Sequence, residues 1–432
     1  MKKTLLFIAA VAMFQFTFGQ SQKPLCGYDI AVKNYIDKYP AYAQAREQAF
    51  NNAKNAGSSR ASQTFVVPVV VHVLWNNAAE NIADSVIFSQ INILNEDYGR
   101  RNADTVNCRA MFDSVGANTG IQFRLDSIIR IQTSNTYEIS FFGLPDSTIK
   151  YSAAGGSDAV DPIHHLNIWV INFQASFLGQ LLGYAYPPAN LANWPVGQEA
   201  PKVEYEGVVL DYRAVGGNNP NTMNISGIGV VEIKGRTATH EVGHYLGLRH
   251  IWGDGGSFIG PNDCLQSDGI YDTPFANAQS DFDCNKTKNT CSGTDAHYGF
   301  DAPDMVENYM DYSTESCMNL FTRGQANLMR GVLLNERADL PAVNVGIAEN
   351  NNTASQIVAY PNPATDKLLV NYPYNAAIEK VELLSLLGQK TNATFSVQKG
   401  VIIGNLAGVE KGVYLLSIAI NKETVVKRIV VE

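Results

Sequence analysis

The segment HEVGHYLGLRH, which begins at His240, holds three of the seven histidines in this 432-residue chain. Residues four apart lie on one face of an α-helix, so His240 and His244 can direct their imidazoles at one ion, with Glu241 beside it. Gly247 lacks a Cβ and can end the helix in a left-handed turn. The chain then turns back and brings His250 to the same point as a third nitrogen ligand. The segment therefore predicts a helix, a sharp turn and a single metal centre.

Three neutral imidazoles suit Zn²⁺ and leave one corner of its tetrahedral shell open to water. The ion lowers the pKa of that water to about 7, and Glu241 is placed to take its proton. The hydroxide can attack a carbonyl that the ion polarises, and Glu241 can then protonate the leaving amine. The alternative is an amphipathic helix with surface histidines, but histidine is so rare in this chain that the match is an improbable coincidence. The pattern favours peptide-bond hydrolysis.

The spacing H-E-x-x-H-x-x-G-x-x-H resembles the signature of the metzincin zinc proteases, which implies a methionine-containing turn downstream. The sequence ENYMDYS supplies Met310 for that turn. The stretches HEVGHYLGLRHIWGDG, SDGIYDTP and ENYMDYSTESCMNLFTRGQANLM are similar to the pappalysin family of metzincins, and in particular to its bacterial secreted members, over roughly residues 61–335. The resemblance implies that Tyr312 hydrogen-bonds the oxyanion formed during hydrolysis. The alternative for Tyr312 is an aromatic core residue.

The same resemblance implies that four cysteines staple the loop after the histidines. It pairs Cys264 with Cys291 and Cys284 with Cys317, whereas the residues alone allow three pairings. Zinc ligation by these cysteines is disfavoured, because no two of them form a CxxC pair.

The stretch DGIYDT in this loop is similar to a calcium-binding stretch of pappalysins. That similarity implies that Asp268 and Thr273 provide oxygen ligands for calcium, together with backbone carbonyls around Tyr271. The alternative is a solvated turn without an ion.

Residues 1–19 are predicted to be a secretory signal peptide, because two lysines precede an apolar stretch of about 14 residues, shorter than the ~20 that span a bilayer. Nothing else in the chain is long and apolar enough to span a membrane.

Export allows the six cysteines to form disulfides. The net charge of −9, without a long basic run, argues against a nucleic-acid partner.

Residues 20–60 are predicted to be a pro-segment, with a helix over 42–56 and a flexible end, GSSRASQ, that suits proteolysis. Arg60 is the candidate processing point. Cys26 could occupy the fourth zinc position until the segment is cut away, as in the cysteine switch of related zymogens. A disulfide between Cys26 and Cys108 is the alternative, but Cys108 could instead be a buried small apolar residue.

Residues 61–338 alternate between β-rich and helical runs, which predicts an α/β (α+β) catalytic domain with a mixed, twisted sheet and the active-site helix. The run over 178–188 ends in two prolines, which suits an exposed sheet edge. We expect an extended substrate to pair with this edge from Leu181 to Tyr186.

His164 and His165 are predicted to be polar residues at a strand end rather than ligands. A helix is predicted over 84–98, and further strands over 64–75, 121–129, 166–173 and 207–215.

Residues 339–356 are predicted to be an Asn-rich linker, and residues 357–432 an all-β sandwich of short strands. YPNPATDKLLV, LLSLLGQK and KGVYLLSIAINKETVVKRIVVE resemble the C-terminal sorting domain of the type IX secretion system of Gram-negative bacteria. The resemblance implies an immunoglobulin-like sandwich that directs passage from the periplasm across the outer membrane, to the medium or the cell surface. The alternative is a carbohydrate-binding or protein-binding module of similar fold.

Taken together, these features predict a secreted zinc endopeptidase that is made as a zymogen and acts on proteins or peptides. A surface adhesin on a metzincin scaffold would predict loss of Glu241 or of a ligand, yet all are present. A zinc hydrolase of a non-peptide amide is the other alternative, and a substrate screen would distinguish it.

Pappalysins that cleave before Lys or Arg are expected to have an Asp just ahead of the last loop cysteine. This chain has Ser316 there, beside Glu315, so specificity for basic residues is not predicted.

Overall fold

The computed structural model describes residues 26–56, 63–139, 144–175, 179–341 and 357–432, apart from 190, 192, 226, 254–263, 265, 374, 375, 387, 421 and 422. The predicted signal peptide, Arg60 and most of the predicted linker lie outside the described residues.

A five-stranded sheet of order β2-β1-β3-β5-β4 forms the centre of the catalytic domain. Its strands are β1 (Phe65–Trp75), β2 (Ile121–Gln132), β3 (Leu166–Ile171), β4 (Gly183–Tyr186) and β5 (Gly207–Asp211). The first four strands in this order pair in parallel, and β4 pairs antiparallel with β5 at the edge. The predicted mixed sheet is therefore confirmed, although β3, β4 and β5 are shorter than the runs predicted for them.

The seven helices of the described residues are α1 (Tyr28–Lys38), α2 (Tyr42–Ala56), α3 (Asp84–Tyr98), α4 (Ala110–Asp113), α5 (Asp146–Ile149), α6 (Arg236–Tyr245) and α7 (Arg323–Leu334). The helices predicted over 42–56 and 84–98 are confirmed as α2 and α3. Helix α7 begins at a capping box in which the Thr322 hydroxyl and the Gln325 side chain each bind the other residue's backbone amide. Helices α1 and α7 were not predicted from the sequence.

Successive residues of the central strands face opposite sides of the sheet. Ile168 and Val170 pack into one hydrophobic cluster, which includes the buried faces of α3, α6 and α7. Trp169 and Ile171 pack into a second cluster, which includes tyrosines of α1 and α2. The N-terminal helices therefore help to cover one face of the catalytic sheet. Helix α2 also approaches α7 closely, because a Cβ at Gly331 would lie 1.9 Å from the carbonyl oxygen of Ala53.

A two-stranded ribbon, β6 (Met223–Ile225) and β7 (Gly229–Val231), precedes α6. The described residues from 266 to 322 contain neither a helix nor a named strand. Two disulfides hold this region, Cys264 to Cys291 and Cys284 to Cys317, with Cα atoms 5.6 and 5.8 Å apart. This is the pairing that the resemblance implies.

The C-terminal region is all-β, as predicted. Strands β10, β13 and β14 form one sheet, and β11, β12, β9 and β8 form another, with one hydrophobic cluster between them. Their bounds are β8 (Val358–Tyr360), β9 (Lys367–Asn371), β10 (Ile378–Ser385), β11 (Thr394–Gln398), β12 (Val401–Asn405), β13 (Gly412–Ile420) and β14 (Glu423–Val431). Within the described residues, no helix combines the length and apolar character needed to cross a membrane.

Candidate metal centre

Helix α6 and the turn after it bring three imidazoles together. The helix ends at Tyr245, and Gly247 follows with φ +91°, so the chain reverses at the predicted glycine although the helix stops two residues earlier. The reversal brings His250 back towards the helix. The Nε2 atom of His244 lies 3.0 Å from Nε2 of His240 and 3.1 Å from Nε2 of His250.

The other ring nitrogens orient these donors. Nδ1 of His240 lies 2.7 Å from the carbonyl oxygen of Tyr309, and Nδ1 of His244 lies 2.9 Å from that of Leu248. A carbonyl oxygen only accepts, so each Nδ1 carries the hydrogen and each Nε2 presents its lone pair to the cluster. Burial, and then the neighbouring His250, lowers the pKa of His240 to about 3 and that of His244 well below its usual value. This buried set of nitrogen donors fits Zn²⁺.

The side chain of Glu241 is fully buried and lines the same cavity as Cys26 and His240. Its Oε2 atom has no hydrogen-bond partner among the described residues. Burial raises the pKa of Glu241 to about 8, while a hydrogen bond with the Cys26 thiol lowers it. The edge strand β4 passes directly against this side chain, because a Cβ at Gly183 would lie 2.9 Å from Cγ of Glu241. Gly183 lies within the edge from Leu181 to Tyr186 that the sequence predicts as the site of substrate pairing.

Two aromatic side chains flank the third histidine. The Tyr312 hydroxyl lies 3.0 Å from Nε2 of His250, and burial raises the pKa of Tyr312 well above its usual value. The Trp252 ring stacks on the His250 ring, with centroids 4.5 Å apart and planes 5° from parallel. Both rings restrict the orientation of His250. Trp252 was not identified from the sequence, where its only signal is its position two residues after the motif.

Met310, which the resemblance places in the turn downstream of the histidines, is fully buried and packs against Gly243 of α6. A Cβ at Gly243 would lie 2.6 Å from Sδ of Met310, so any larger residue at this helical position would require the Met310 side chain to shift. Glycine is unfavourable in a helix interior, so its presence within the motif is a sequence signal for this close contact with Met310.

The N-terminal segment lies across the centre. Cys26 and the three histidines offer ligand atoms that all lie within 4.8 Å of one another. The backbone amide of Gly27 donates to the carbonyl of Gly183 over 2.9 Å, and the Tyr28 ring stacks on the His244 ring with centroids 3.8 Å apart. Burial, and then the charge of Glu241, raises the pKa of the Cys26 thiol.

The remaining thiol lies elsewhere in the domain. Cys108 packs against the hydrophobic cluster of α4, where burial raises its pKa to about 12. Both Cys26 and Cys108 are free thiols, so the structure does not contain the alternative disulfide between them.

The two residues implied as calcium ligands lie together in the disulfide-pinned loop. The Thr273 hydroxyl donates to Oδ1 of Asp268 over 2.7 Å, and the amide of Ile270 donates to the same oxygen over 2.9 Å. Oδ2 of Asp268 is buried and has no hydrogen-bond partner among the described residues. Burial raises the pKa of Asp268 to about 8.

A cavity opens next to Glu241. Leu182, Phe282 and Met318 form apolar parts of its wall, and Asp311 is a buried acidic lining residue. Ser316 is exposed and does not belong to the lining.

Glu315 also lines this cavity, but its carboxylate is already hydrogen-bonded to the start of α6. Its carboxylate accepts hydrogen bonds from the backbone amides of Lys234, Arg236 and Thr237, and from the Thr237 hydroxyl. Both oxygens therefore cap the helix that carries the first two histidines.

His164 and His165 do not belong to the histidine cluster. His164 bonds Asp161 over 2.9 Å and His165 bonds Asp126 over 3.3 Å, immediately before β3, which agrees with their prediction as polar strand-end residues.

Comparisons with known proteins identify both parts of the chain. Residues 156–334 match a family profile described as pregnancy-associated plasma protein-A, and residues 358–432 match the profile of a secretion system C-terminal sorting domain. An extracellular metalloprotease of Trichophyton verrucosum is 29% identical over 66% of this chain and 85% of the relative. Extracellular metalloprotease 1 of Coccidioides posadasii is 28% identical over 69% of this chain and 88% of the relative.

Two solved structures from Tannerella forsythia are also similar. A mutant of promirolysin is 34% identical with a TM-score of 0.58, and the match covers 74% of this chain and 97% of that chain. Mature mirolysin in complex with a cleaved peptide is 36% identical with a TM-score of 0.53, and the match covers 65% and 96%. The chain therefore belongs to the pappalysin family and is a secreted zinc metalloendopeptidase with a type IX sorting domain in residues 358–432.

Proposed function

We propose that this endopeptidase uses Glu241 as its general base and is made as a latent precursor in which residues 20–60 block the active site. The observation that carries this proposal is the buried cluster in which the Nε2 atoms of three histidines and the Cys26 thiol converge beside Glu241. A scaffold without catalytic activity would have no need to bury a carboxylate with an unpartnered oxygen at this point.

In this proposal His240, His244 and His250 hold the zinc ion. When bound, the ion polarises the substrate carbonyl and makes the attacking water more acidic. Glu241 takes the proton from that water with its free carboxylate oxygen and gives it to the leaving amine. The Tyr312 hydroxyl, next to His250, donates a hydrogen bond to the carbonyl oxygen as it gains negative charge.

The peptide substrate is proposed to pair with the edge strand β4. One side of β4 pairs with β5, whereas the other meets Gly27 through its bond to the Gly183 carbonyl. Release of the N-terminal segment would leave this carbonyl available to an extended peptide, next to Glu241. Asp146 accepts hydrogen bonds from the hydroxyls of Tyr184 and Tyr186, each over 2.8 Å, which keeps the strand rigid.

The latent state is supported by the contacts of Cys26 and by the extent of the structural matches. The match to promirolysin covers 74% of this chain, whereas the match to mature mirolysin covers 65%. We propose the division 1–19 signal peptide, 20–60 pro-segment, 61–338 catalytic domain, 339–356 linker and 357–432 sorting domain, the last with an immunoglobulin-like sandwich.

Calcium binding by Asp268 and Thr273 is part of the proposal. A buried carboxylate oxygen without a partner is unfavourable, and a hard cation with oxygen ligands would compensate it. Calcium is then expected to raise the Tm of the chain, and Asp268→Asn to reduce that increase. An equal increase in the parent and in Asp268→Asn would exclude this site.

The mechanism is tested with the processed enzyme and a library of peptides. We expect Glu241→Ala to reduce kcat/KM roughly 10³-fold, within the range of general acid–base catalysis, while the protein still binds zinc. A chelator should abolish cleavage by the parent, and added Zn²⁺ should restore it. His164→Ala, which removes an exposed histidine outside the cluster, serves as the matched control and should cleave normally. Equal cleavage by the parent and Glu241→Ala would refute the mechanism.

A further inference from the structure

The carboxylate of Asp97 is buried behind the metal centre, at the end of α3. Its Oδ1 atom accepts a hydrogen bond from the Tyr309 hydroxyl over 2.8 Å. Its Oδ2 atom accepts one from the Thr239 hydroxyl, also over 2.8 Å. A single carboxylate thus joins three separate parts of the fold: helix α3, helix α6 and the turn that contains Met310.

Both partners of Asp97 are connected to the first histidine, one through the peptide bond and the other through a hydrogen bond. Thr239 precedes His240 in α6, and the Tyr309 carbonyl accepts the hydrogen bond from Nδ1 of His240. The His240 side chain therefore spans the distance between the α6 backbone and the Tyr309 carbonyl. Asp97 fixes both of these points, because its carboxylate binds the Thr239 hydroxyl on α6 and the Tyr309 hydroxyl.

We propose that Asp97 is a positioning residue for the metal centre. By accepting hydrogen bonds from Thr239 and Tyr309, it sets the separation between α6 and the Met310 turn, and with it the direction of Nε2 of His240. Outer partners of this kind tune metal affinity by holding a ligand in one orientation. This inference rests on the proposed role of His240 as a ligand.

The simpler alternative is that Asp97 only balances the charge of Arg236, whose Nη2 atom lies 3.5 Å from Oδ1. Arg236 already has a closer partner, however, because its two terminal nitrogens bond the carboxylate of Asp104 over 2.6 and 2.7 Å. The two explanations differ at Tyr309. Tyr309→Phe removes the hydroxyl from Asp97 but leaves both acids beside Arg236, so charge balance alone predicts no effect on zinc.

The chain offers a matched control in Tyr98. This fully buried tyrosine packs against the Phe321 ring with centroids 4.8 Å apart, as Tyr309 does. Its hydroxyl donates to the carbonyl of Thr239 over 3.2 Å, so it contacts α6 but not the acceptor of His240. Tyr98→Phe therefore removes a buried hydroxyl from the same cluster without removing a hydrogen bond to Asp97.

The experiment uses the full chain with Glu241→Ala in every variant, so that the protein cannot process itself. Zinc affinity is measured by competition with a chromophoric chelator, and Tm is measured with and without zinc. We expect Tyr309→Phe and Asp97→Asn each to weaken zinc binding about tenfold, and the double variant to be no weaker than Asp97→Asn alone. Tyr98→Phe should stay within about twofold of the parent, because it leaves both hydrogen bonds to Asp97 and the acceptor of His240 in place.

A purely structural role would lower the Tm of the zinc-free and zinc-loaded forms equally and leave zinc affinity unchanged. That result for Tyr309→Phe would overturn the inference, and it can be obtained even if Asp97→Asn does not fold. His240→Ala in the same assay tests the premise separately. Unchanged affinity in His240→Ala would refute the proposed ligand set, whereas strong loss there together with unchanged affinity in Tyr309→Phe would refute the role of Asp97 alone.

Discussion

Two segments that flank the catalytic core contact it in different ways. The N-terminal residues 26–56 contact the chemical groups of the site, since Cys26 lies in the histidine cluster and Tyr28 stacks on His244. The C-terminal residues 357–432 contact the scaffold, for example where the Tyr360 ring lies 6.2 Å from the Phe88 ring of α3. None of their described residues belongs to the histidine cluster or lines the cavity beside Glu241. Loss of the first segment should therefore change activity, and loss of the second should not.

The largest effect is expected from Cys26→Ala in the unprocessed chain. Removing the thiol leaves the histidine cluster without its fourth ligand atom, so peptidase activity before processing should rise about 100-fold, equivalent to ~2.7 kcal/mol. The initial rate on a fluorogenic peptide measures this effect, with a gel to show that the chain is still intact. Cys108→Ala, the other free thiol, is the control and should remain latent. An intact Cys26→Ala chain as inactive as the parent would contradict the proposed switch.

A smaller rise is expected from Tyr28→Ala. The variant removes the ring that stacks on His244, a contact of about 0.5–1.5 kcal/mol, so the activity of the unprocessed chain should rise by at most roughly tenfold. Tyr28→Phe keeps the ring and should remain close to the parent in the same peptide assay. If both variants raised activity equally, the phenol hydroxyl and its bond from Arg46 would matter more than the stacking.

A still smaller effect is expected from Glu47→Gln. Glu47 of α2 pairs with Arg249, the residue before His250, over 2.5 Å, but its carboxylate is more than half exposed. Exposed pairs contribute little and are screened by salt, so unprocessed activity should rise about twofold at low ionic strength and not at all at high ionic strength. Lys33→Gln breaks an exposed pair within α1 and serves as the control. A rise that persisted in high salt would show that the charge is not responsible.

The smallest effect is expected from ending the processed enzyme after residue 341. None of the described residues that are removed belongs to the histidine cluster or lines the cavity beside Glu241, so kcat/KM should stay within about twofold of the full-length value, as for independent sites. Steady-state kinetics and metal analysis on both forms measure this. A tenfold loss of kcat/KM with full zinc content would mean that the sorting domain supports the site, and the contrast between the two segments would disappear.

Local patterns predicted much of the fold. The bounds of α2 and α3 agree with the predicted ranges, because their apolar residues recur at helical spacing over a long stretch. Helix α1 carried the same signal in Tyr28, Ala31, Val32 and Tyr35, which are all buried, but it is only 11 residues long. The buried face of α1 can be recognised only once the catalytic sheet that it covers is known.

The candidate site divides in the same way. The histidines, Glu241 and the turn at Gly247 lie within one short segment and could be predicted together. Asp97 could not, because its partners Thr239 and Tyr309 lie 142 and 212 residues further along the chain. No motif or period links positions so far apart.

The sequence by itself determined the donor set, the helix that carries it and the presence of a reversal at a glycine, because helical periodicity and the backbone freedom of glycine act over a few neighbouring residues. For Cys26 the sequence left open a zinc position or a disulfide with Cys108, and only the tertiary structure decided that its thiol meets those histidines. Only the tertiary structure decided that β4 passes directly against Glu241 and that Asp97 holds the surroundings of His240. Hydrogen bonds and packing contacts require atoms about 3–4 Å apart in space, and spacing along the chain does not specify which distant residues come that close.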